Sequence, residues 1–225
     1  MATAGYMETT LSAPLRRGIE EATAKLTAPV TLVLFTDPDA DEVTAENTED
    51  MRRLLAEVAV LSHGKVRLET YEVGRDKDTA RSFGIDKTPA LIVLGGDTRR
   101  DYGIRFYGFV SGYEFGTLME DIRMVSNGSP SVTEETRVAL SRLDNPVHIR
   151  VFVTPTCPYC PGAVLLAHRL AFASDRVKAE MVDASEFPEL AHRYGVHAVP
   201  RTVINDRIHV EGAVPEAVLL SQLRS

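Results

Sequence analysis

The chain has 225 residues, of which 44% are hydrophobic and 25% are charged, and its formal net charge is −7. This size and balance are typical of one or two globular domains, while the acidic balance argues against a nucleic-acid-binding surface. No stretch approaches the ~20 apolar residues of a membrane span. The N-terminal sequence has no basic segment followed by an apolar one, so no secretory signal is expected and a cytoplasmic location is predicted.

The first half of the chain begins with a predicted helix over residues 15–26 and a hydrophobic strand over residues 30–36, which ends at a turn with Pro38. Further on, Pro89 precedes an apolar strand, a hairpin turn at residues 95–97 and a closing helix. Hydrophobic runs bounded by proline and glycine are typical of buried strands. The pattern therefore predicts an alternating α/β unit.

An acidic segment lies between the first strand and the next helix. Residues 37–50 hold seven acidic residues and no basic one, and we expect a solvated loop whose acids gather at a helix N-terminus, where they suit the helix dipole. The alternative is a calcium loop, because Asp37, Asp39 and Asp41 have the one-three-five spacing. However, the sixth position holds Glu42 in place of the required glycine.

The second half contains a similar strand over residues 147–153, followed by a turn and then by Cys157-Pro158-Tyr159-Cys160. Helical composition resumes over residues 163–172. The chain's only two cysteines are therefore predicted where a strand turns into a helix. Pro158 is expected at the first helical position, where its missing N–H costs nothing.

This placement favours redox chemistry. The first turn of a helix carries unpaired N–H groups and the positive end of the macrodipole, and both stabilise a thiolate. We predict that Cys157 is the accessible, attacking thiolate. Cys160 is then the more buried resolving thiol, which attacks the mixed disulfide and releases the reduced substrate.

Two other interpretations of the cysteine pair are weaker. A zinc site usually needs four ligands, and the nearest histidine, His168, leaves that shell incomplete. His168 is instead expected on a polar or half-buried face of its helix. A structural disulfide across two intervening residues closes a very short loop and stabilises little. No metal and no bound cofactor are therefore predicted.

The two halves repeat the same order of elements. Residues 30–38 match residues 147–155, and residues 83–89 match residues 194–200, each ending in a proline. Each half then has an apolar strand, a hairpin turn and a glycine before a closing helix. An internal repeat of this kind decides the fold. The predicted order is β-α-β-α-β-β-α, twice, with a helix before each repeat.

A break in the pattern at residues 125–130 divides the chain. Just after it, Ser131 and Glu134 have the spacing of a capping box, which predicts the start of the first helix of the second half. The predicted domains are residues 1–125 and residues 126–225.

Taken together, these motifs resemble the protein disulfide oxidoreductases of thermophilic archaea and bacteria, also called glutaredoxin-like proteins. The resemblance is carried by residues 151–161 and 198–200, and by residues 106–108 and 112–115 at the end of the first half. It implies an α/β fold of two tandem thioredoxin-like folds, each with α/β/α layers and a mixed central sheet.

The resemblance also implies which residues bind substrate. In this fold the proline after the second αβ loop has a cis peptide bond and faces the CxxC. Pro200 is therefore expected to be cis and to lie against the dithiol, and Pro89 is expected to share the geometry. The backbone of Val199 is then free to pair with an extended substrate chain. Pro158, Tyr159, Val199 and Pro200 are the expected substrate-binding residues.

The first half departs from the family, because it lacks the CxxC that many members carry there. Strand alignment places Ala40 and Val43 opposite Cys157 and Cys160, so this half is expected to be redox-silent. One active and one silent thioredoxin fold also occur in the N-terminal region of the flavoprotein component of alkyl hydroperoxide reductase. Val151 occupies the position of thioredoxin's buried aspartate, which leaves the proton acceptor for Cys160 unidentified.

The electron donor has two candidates. Cys-Pro-Tyr-Cys is the glutaredoxin signature, which implies glutathione. Of the acidic residues with which glutaredoxins hold that tripeptide, only Glu216 remains here, and Arg201 is expected to be solvated. The resembled family is generally reduced by a thioredoxin-reductase-like flavoprotein, which is the expected donor.

The resulting prediction is a thiol–disulfide oxidoreductase that reduces, forms or exchanges protein disulfides through Cys157 and Cys160, with the silent half as a docking surface. Its expected partners are protein disulfides or dithiols and the flavoprotein, with no nucleic acid and no membrane. One alternative is a dedicated electron relay between a flavoprotein reductase and a peroxiredoxin-type partner. Another is a metal-binding or redox-sensing module.

Overall fold

A computed structural model of the chain describes residues 11–223. Residues 1–10, part of the segment in which no secretory signal is predicted, lie outside the described residues, as do residues 224–225. The first half contains α1 (Ala13–Ala24), β1 (Val30–Thr36), α2 (Glu42–Leu61), β2 (Val66–Glu72), α3 (Lys77–Phe83), β3 (Ala90–Gly95), β4 (Arg100–Tyr107) and α4 (Tyr113–Asn127).

The second half repeats this order. It contains α5 (Glu134–Ser141), β5 (Val147–Val153), α6 (Cys160–Ala173), β6 (Val177–Asp183), α7 (Pro188–Arg193), β7 (Arg201–Ile204), β8 (Ile208–Glu211) and α8 (Glu216–Gln222). The predicted repeat of elements is thereby confirmed, including the hairpins that join β3 to β4 and β7 to β8.

The junction between the halves differs in detail from the prediction. Helix α4 continues to Asn127, past the predicted boundary at residue 125. Helix α5 begins at Glu134 with Thr133 as its N-cap, because the Thr133 hydroxyl accepts a hydrogen bond from the amide of Thr136 at 3.2 Å. The capping box predicted from Ser131 is therefore wrong by two residues. Threonine, like serine, has the side-chain oxygen that an N-cap needs to accept a backbone hydrogen bond.

All eight strands form one sheet in the order β2-β1-β3-β4-β6-β5-β7-β8. The halves are joined at its centre, where β4 and β6 run parallel and pair Ile104 with Ala179 and Phe106 with Met181. Close approach at this joint requires a residue without a side chain. A Cβ on Gly103 would lie 2.8 Å from the carbonyl oxygen of Val177.

Helices cover both faces of the sheet, which is why its inner strands are hydrophobic almost without interruption. Helices α1, α2, α4, α5, α6 and α8 contribute to the core on one face, and α3 and α7 contribute to the core on the other. Successive side chains of a strand point to opposite faces of the sheet. The neighbours Leu32 and Val33 are accordingly both fully buried, one in each core. Burial of each such side chain stabilises the fold by about 1.5–3 kcal/mol.

The strand directions bring the N-termini of α2, α4 and α6, among others, to one edge of the sheet. Strands β1, β4, β6 and β5 run in the same direction, so α2, α4 and α6, which follow three of these strands, all start at the same edge. We call it the carboxyl edge. The ends of β1 and β5 are four strand spacings apart, roughly 19 Å. Within residues 11–223, no helix is long and apolar enough to span a membrane.

Candidate functional site

The two cysteines lie on the loop that leaves β5 at the carboxyl edge. Cys157 and Cys160 are joined by a disulfide, with their Cα atoms 5.5 Å apart. The amide of Cys157 donates to the carbonyl of Thr154 at 3.1 Å, which closes the turn before the pair. The loop is short because β5 ends at Val153 and α6 starts at Cys160.

The start of α6 corrects the predicted position of Pro158. Helix α6 begins at Cys160 with Tyr159 as its N-cap, and Pro161 occupies the first turn. Pro158 and Pro161 both suit a helix start, and the sequence pattern alone does not distinguish them. Cys157 therefore lies just outside the helix, and Cys160 is its first residue.

Both cysteines are buried and belong to the same core cluster. Cys157 is 7% exposed and Cys160 is 0% exposed, so the prediction of an accessible Cys157 is wrong, whereas Cys160 is the more deeply buried of the two, as predicted. This order of exposure is what an attacking and a resolving thiol require.

The four residues expected to bind substrate differ in exposure. Tyr159 is 73% exposed, Pro158 is also exposed, Val199 is half-buried and Pro200 is buried. The peptide bonds before Pro89 and Pro200 are both cis, which confirms the geometry expected at these two prolines.

The sheet register brings Pro200 to the carboxyl edge. Phe152 pairs with Arg201 across the antiparallel strands β5 and β7, so Pro200 lies opposite the end of β5. The loop that carries the cysteines leaves from that same strand end.

The first half of the chain forms one wall beside the cysteine loop. The amide of Tyr113 donates to the carbonyl of Pro155 at 3.3 Å, and a Cβ on Gly112 would overlap that same oxygen. Gly112 has a φ of 57°, which other residues rarely adopt. Tyr113 itself is 53% exposed. A second exposed tyrosine, from the other half, thus accompanies Tyr159.

A buried carboxyl next to Tyr113 was missed by the sequence reasoning. Glu114 is 2% exposed, and burial raises its pKa. It belongs to α4, which packs against α6. Val151, in the position of thioredoxin's aspartate, is fully buried and apolar. The only available signal was the place of Glu114 within the motif at residues 112–115.

A second buried polar group links the same two helices. His168 on α6 and Asp121 on α4 are both fully buried, with Nδ1 and Oδ2 2.5 Å apart. The prediction of a polar or half-buried position for His168 is therefore wrong. The apolar surface of α4 from the other half covers this face of α6, and sequence periodicity within α6 does not show that cover.

The two residues considered for glutathione binding already pair with other residues of this chain. Glu216 accepts hydrogen bonds from both the amide and the hydroxyl of Thr133, each at 2.9 Å. Arg201 pairs with Glu211 and contacts Nδ1 of His209 at 3.1 Å. The expectation that Arg201 is solvated is therefore wrong.

The acidic segment of the first half forms a helix start. Asp41 is the N-cap of α2, and its side chain accepts a hydrogen bond from the amide of Thr44 at 3.1 Å. Hydrogen bonds from Thr44 lower the pKa of Asp41. Among residues 11–223, no group of three or more histidine, cysteine or acidic side chains could hold a metal ion.

The second half matches a protein-family model. Residues 147–224 match the model described as the thioredoxin domain. This range covers β5 to α8 and includes the disulfide.

Two solved structures are similar over nearly the whole chain. A protein disulfide oxidoreductase from Aeropyrum pernix K1 is 30% identical, and the match covers 95% of this chain and 92% of that one, with a TM-score of 0.85. The alkylhydroperoxide reductase component AhpF from Enterococcus faecalis, in a C503A mutant, is 29% identical, with coverage of 95% and 99% and a TM-score of 0.85.

Curated relatives match the chain over much of its length but are longer proteins. An NADH dehydrogenase of Bacillus subtilis is 23% identical over 180 residues, which are 80% of this chain and 32% of that protein. The chain thus spans about a third of the length of such relatives.

Proposed function

Since the chain belongs to the thioredoxin-like family of protein disulfide oxidoreductases, we propose that it exchanges disulfides with other proteins through Cys157 and Cys160. The observation that carries this function is the disulfide itself. The only two cysteines of the chain are bonded to each other at a helix start on the carboxyl edge. Such a pair holds two electrons when reduced and returns to the disulfide when it gives them up.

In the reducing direction, the Cys157 thiolate attacks one sulfur of a substrate disulfide. The substrate S–S bond breaks, one substrate sulfur leaves as a thiolate, and the other stays bonded to Cys157. Cys160 then loses its proton and attacks the sulfur of Cys157. The second substrate sulfur leaves, the protein disulfide forms, and two electrons have passed to the substrate.

We assign the proton of Cys160 to Glu114. A buried thiol needs a nearby base, because a thiolate without compensation is costly in an apolar site. Glu114 is buried in the layer where α4 packs on α6, and α6 begins with Cys160. Burial raises the pKa of Glu114, so this carboxyl takes up a proton more readily than an exposed one does. Glu114 passes the proton on to the departing substrate thiolate or to solvent.

The redox-silent half serves as part of the surface that holds the partner. Tyr113 from this half and Tyr159 from the other are both largely exposed. The hydrogen bond between Tyr113 and Pro155 ties the first tyrosine to the cysteine loop. Tyrosines supply large contact area with little loss of conformational freedom, and they are enriched where proteins bind one another.

A thioredoxin-reductase-like flavoprotein fits the site better than glutathione as the electron donor. Glu216 and Arg201, the groups considered for holding the tripeptide, are bound to Thr133 and Glu211. Releasing them for a ligand costs the hydrogen bonds that they already make. The similarity to the alkylhydroperoxide reductase component AhpF favours one further candidate, a relay between a flavoprotein reductase and a peroxiredoxin-type partner.

The proposed roles of the two cysteines are tested by alkylation and by serine variants. In the reduced protein, Cys157 should alkylate faster than Cys160 near neutral pH because it is the more exposed thiol. Cys157→Ser should reduce exchange to background, and Cys160→Ser should accumulate a mixed disulfide that mass spectrometry detects. Equal alkylation rates, or turnover that survives in Cys157→Ser, would contradict the assignment.

The general oxidoreductase and the dedicated relay differ in substrate range. A general enzyme should reduce insulin disulfides and scrambled proteins at rates comparable to those of its physiological partner. A relay should reduce them poorly and yet be oxidised quickly by a peroxiredoxin disulfide. A reduction-potential titration of the pair against glutathione, followed by reduction with a purified thioredoxin reductase, separates the two electron donors.

A further inference from the structure

Three loops of the carboxyl edge are linked by hydrogen bonds at or next to their ends. They are the cysteine loop (residues 154–159), the β4–α4 loop (residues 108–112) of the redox-silent half, and the β6–α7 loop (residues 184–187) of the other half. The amide of Ala184 donates to the carbonyl of Val153, the last residue before the cysteine loop, at 2.9 Å. The β6–α7 loop is therefore anchored where the cysteine loop begins.

Glu186 of the β6–α7 loop holds the β4–α4 loop. Its Oε1 accepts a hydrogen bond from the amide of Phe109 at 2.6 Å, which is short for an amide donor and a carboxylate acceptor. The side chain of Glu186 is half-buried, so water competes little for this hydrogen bond. The bond joins one half of the chain to the other.

The backbone of the β4–α4 loop approaches the other half closely at the same place. Gly108 precedes Phe109 and has a φ of 98°. A Cβ on Gly108 would lie 2.8 Å from the Cβ of Asp183 and 3.2 Å from Oε1 of Glu186. A side chain at position 108 would therefore push the loop away from its acceptor.

The second copy of the repeat shows that the fold alone does not demand this close approach. Gly212 takes the place of Gly108, and both amides donate to the carbonyl of a preceding proline, Pro200 at 2.9 Å and Pro89 at 3.0 Å. A Cβ on Gly212 would nevertheless meet no atom within 4 Å. The loop of the first half is thus packed against the other half, whereas its copy is open.

Further hydrogen bonds connect Phe109 to Tyr113. The carbonyl of Phe109 accepts from the amide of Ser111 at 2.9 Å, and the carbonyl of Ser111 accepts from the amide of Glu114 at 3.1 Å. Tyr113 lies within this turn, and its amide donates to the carbonyl of Pro155 in the cysteine loop at 3.3 Å. The segment from residue 109 to residue 113 is thus bonded to the other half at both of its ends.

We propose that Glu186 is a positioning residue for the recognition of protein partners: by holding the amide of Phe109 it fixes the β4–α4 loop, and with it the place of Tyr113 beside the cysteine loop. The inference rests on the proposed docking role of Tyr113. Glu186 acts through the loop and takes no part in the transfer of electrons. The silent half thus presents its tyrosine correctly only when a residue of the active half holds it.

The test compares a protein disulfide with a small one, using the full-length protein. Insulin, reduced at the expense of dithiothreitol, serves as the protein disulfide, and dithiobis(nitrobenzoate) serves as the small one. Glu186→Ala should raise KM for insulin about threefold to fivefold with kcat unchanged, because binding is weakened and the chemistry is not. The rate with dithiobis(nitrobenzoate) should stay the same. Equal losses on both substrates would overturn the proposal.

Two further variants test the position of the acceptor oxygen. Glu186→Gln keeps an oxygen at the same distance from the backbone and should retain the native KM. Glu186→Asp keeps the charge but is shorter by one methylene, and it should raise KM as Glu186→Ala does. Glu189→Gln, at an exposed carboxyl on α7, is the matched control and should change neither rate. If Glu186→Gln weakens recognition as much as Glu186→Ala does, the position of the acceptor is not what matters, and the proposal fails.

A double variant shows whether Glu186 acts through Tyr113. Adding Glu186→Ala to Tyr113→Ala should raise KM for insulin no further, because the side chain that Glu186 positions is already gone. An additive loss would overturn the proposal. If Tyr113→Ala acts selectively and Glu186→Ala does not, the inference fails alone. If Tyr113→Ala has no selective effect, or the native protein does not reduce insulin, the proposed docking function fails and the inference fails with it.

Amide hydrogen exchange provides a readout that does not depend on a substrate. In Glu186→Ala the amides of Phe109 and Tyr113 should exchange about tenfold faster than in the native protein, because the loop opens more often. The amide of Leu32 in β1 should not change. Unchanged protection at Tyr113 would show that Glu186 does not set its position and would overturn the proposal. If Glu186→Ala does not fold, Glu186→Asp supplies the same comparison.

Discussion

The two halves of this protein have the same elements in the same order but differ in the loop after the first strand. In the second half this loop carries the disulfide between Cys157 and Cys160. In the first half Ala40 and Val43 stand in the corresponding positions within an acidic segment, and Asp41 caps α2. Both halves nevertheless keep the cis proline and the hairpin. The thioredoxin-like scaffold thus folds without thiols, and the chemistry belongs to the few residues placed on its loops.

The half without cysteines nevertheless contributes residues beside the cysteine loop. The first half provides Tyr113, whose amide donates to Pro155 of the cysteine loop, and the buried acids Glu114 and Asp121 on the same helix, α4. The second half has α8 at the corresponding place in its repeat, and α8 contacts α5 at the periphery. The order of the joined strands makes the difference, since it places α4 against α6 of the other half.

The largest effect on stability is expected at two equivalent core residues, one in each half. Phe35 on β1 and Phe152 on β5 are both fully buried, and each ring packs on a tyrosine, Tyr71 or Tyr194, with centroids 5.6 and 5.7 Å apart. Changing either phenylalanine to alanine should lower the free energy of unfolding by about 3–5 kcal/mol. Because one sheet crosses both halves, each variant should still unfold in a single calorimetric transition. Two separate transitions would show that the halves are independent.

A second prediction concerns the ion cluster that joins the halves. Glu180 on β6 contacts His148 at 2.7 Å, Arg150 at 3.0 Å and Lys87 of the first half at 3.5 Å. Burial alone would raise the pKa of Glu180, but the hydrogen bond from His148 and the surrounding charges lower it to about 2. Glu180→Gln should lower the free energy of unfolding at pH 7 by about 2–3 kcal/mol.

The pH dependence of that variant gives the check. A carboxyl with a depressed pKa stabilises the fold above its ordinary pKa of 4.5, and this stabilisation is lost as the pH falls toward 2. The difference in unfolding free energy between the native protein and Glu180→Gln should therefore shrink over that range. A constant difference down to about pH 2 would contradict the assigned ionisation.

A smaller effect is expected at the two exposed tyrosines. Tyr113→Ala in the silent half and Tyr159→Ala in the active half should each lower kcat/KM toward a protein disulfide about threefold to tenfold, as loss of a contact worth ~1 kcal/mol does. Neither change should affect the reaction with a small aromatic disulfide. Val60→Ala, at an exposed apolar residue away from the carboxyl edge, is the control. Equal losses on both substrates would exclude a docking role for Tyr113.

The smallest effect is expected at the cap of α2. Asp41→Ala removes the hydrogen bond to the amide of Thr44 and should lower the melting temperature slightly, because the first turn loses its acceptor. The exchange rate should not change. Added calcium should give the native protein no extra thermal stability over the variant. If calcium raised the melting temperature of the native protein but not of the variant, the calcium-loop interpretation would be supported.

The order of elements was predictable from the sequence because each element is a local pattern. The repeat of strand, turn and proline indicated that order, and the unique cysteine pair indicated the redox site. Glu114 was missed because its proximity to the cysteine loop depends on the pairing of β4 with β6, which joins residues distant in sequence. The burial of His168 was missed for the same reason, since the helix that covers it comes from the other half.

Local ambiguity explains the remaining errors. Pro158 and Pro161 are equally acceptable near a helix start, and in the structure α6 begins at Cys160 with Pro161 in its first turn. At α5, Ser131 and Thr133 are both good caps. The structure uses Thr133, whose amide and hydroxyl also donate to Glu216 of α8. A tertiary contact thus decides between two local solutions.

The parallel joint between β4 and β6 has a consequence for how this protein avoids aggregation. Two separate sheets would expose four edge strands, whereas the merged sheet leaves β2 and β8 at its ends. Strand β2 carries charged residues, including Arg67 and Glu69, which discourage edge-to-edge pairing with other molecules. Separating the two halves would instead uncover β4 and β6, whose sequences include buried apolar residues such as Phe106 and Met181. The redox-silent half therefore also protects a strand that would otherwise recruit neighbouring molecules into fibres or precipitates.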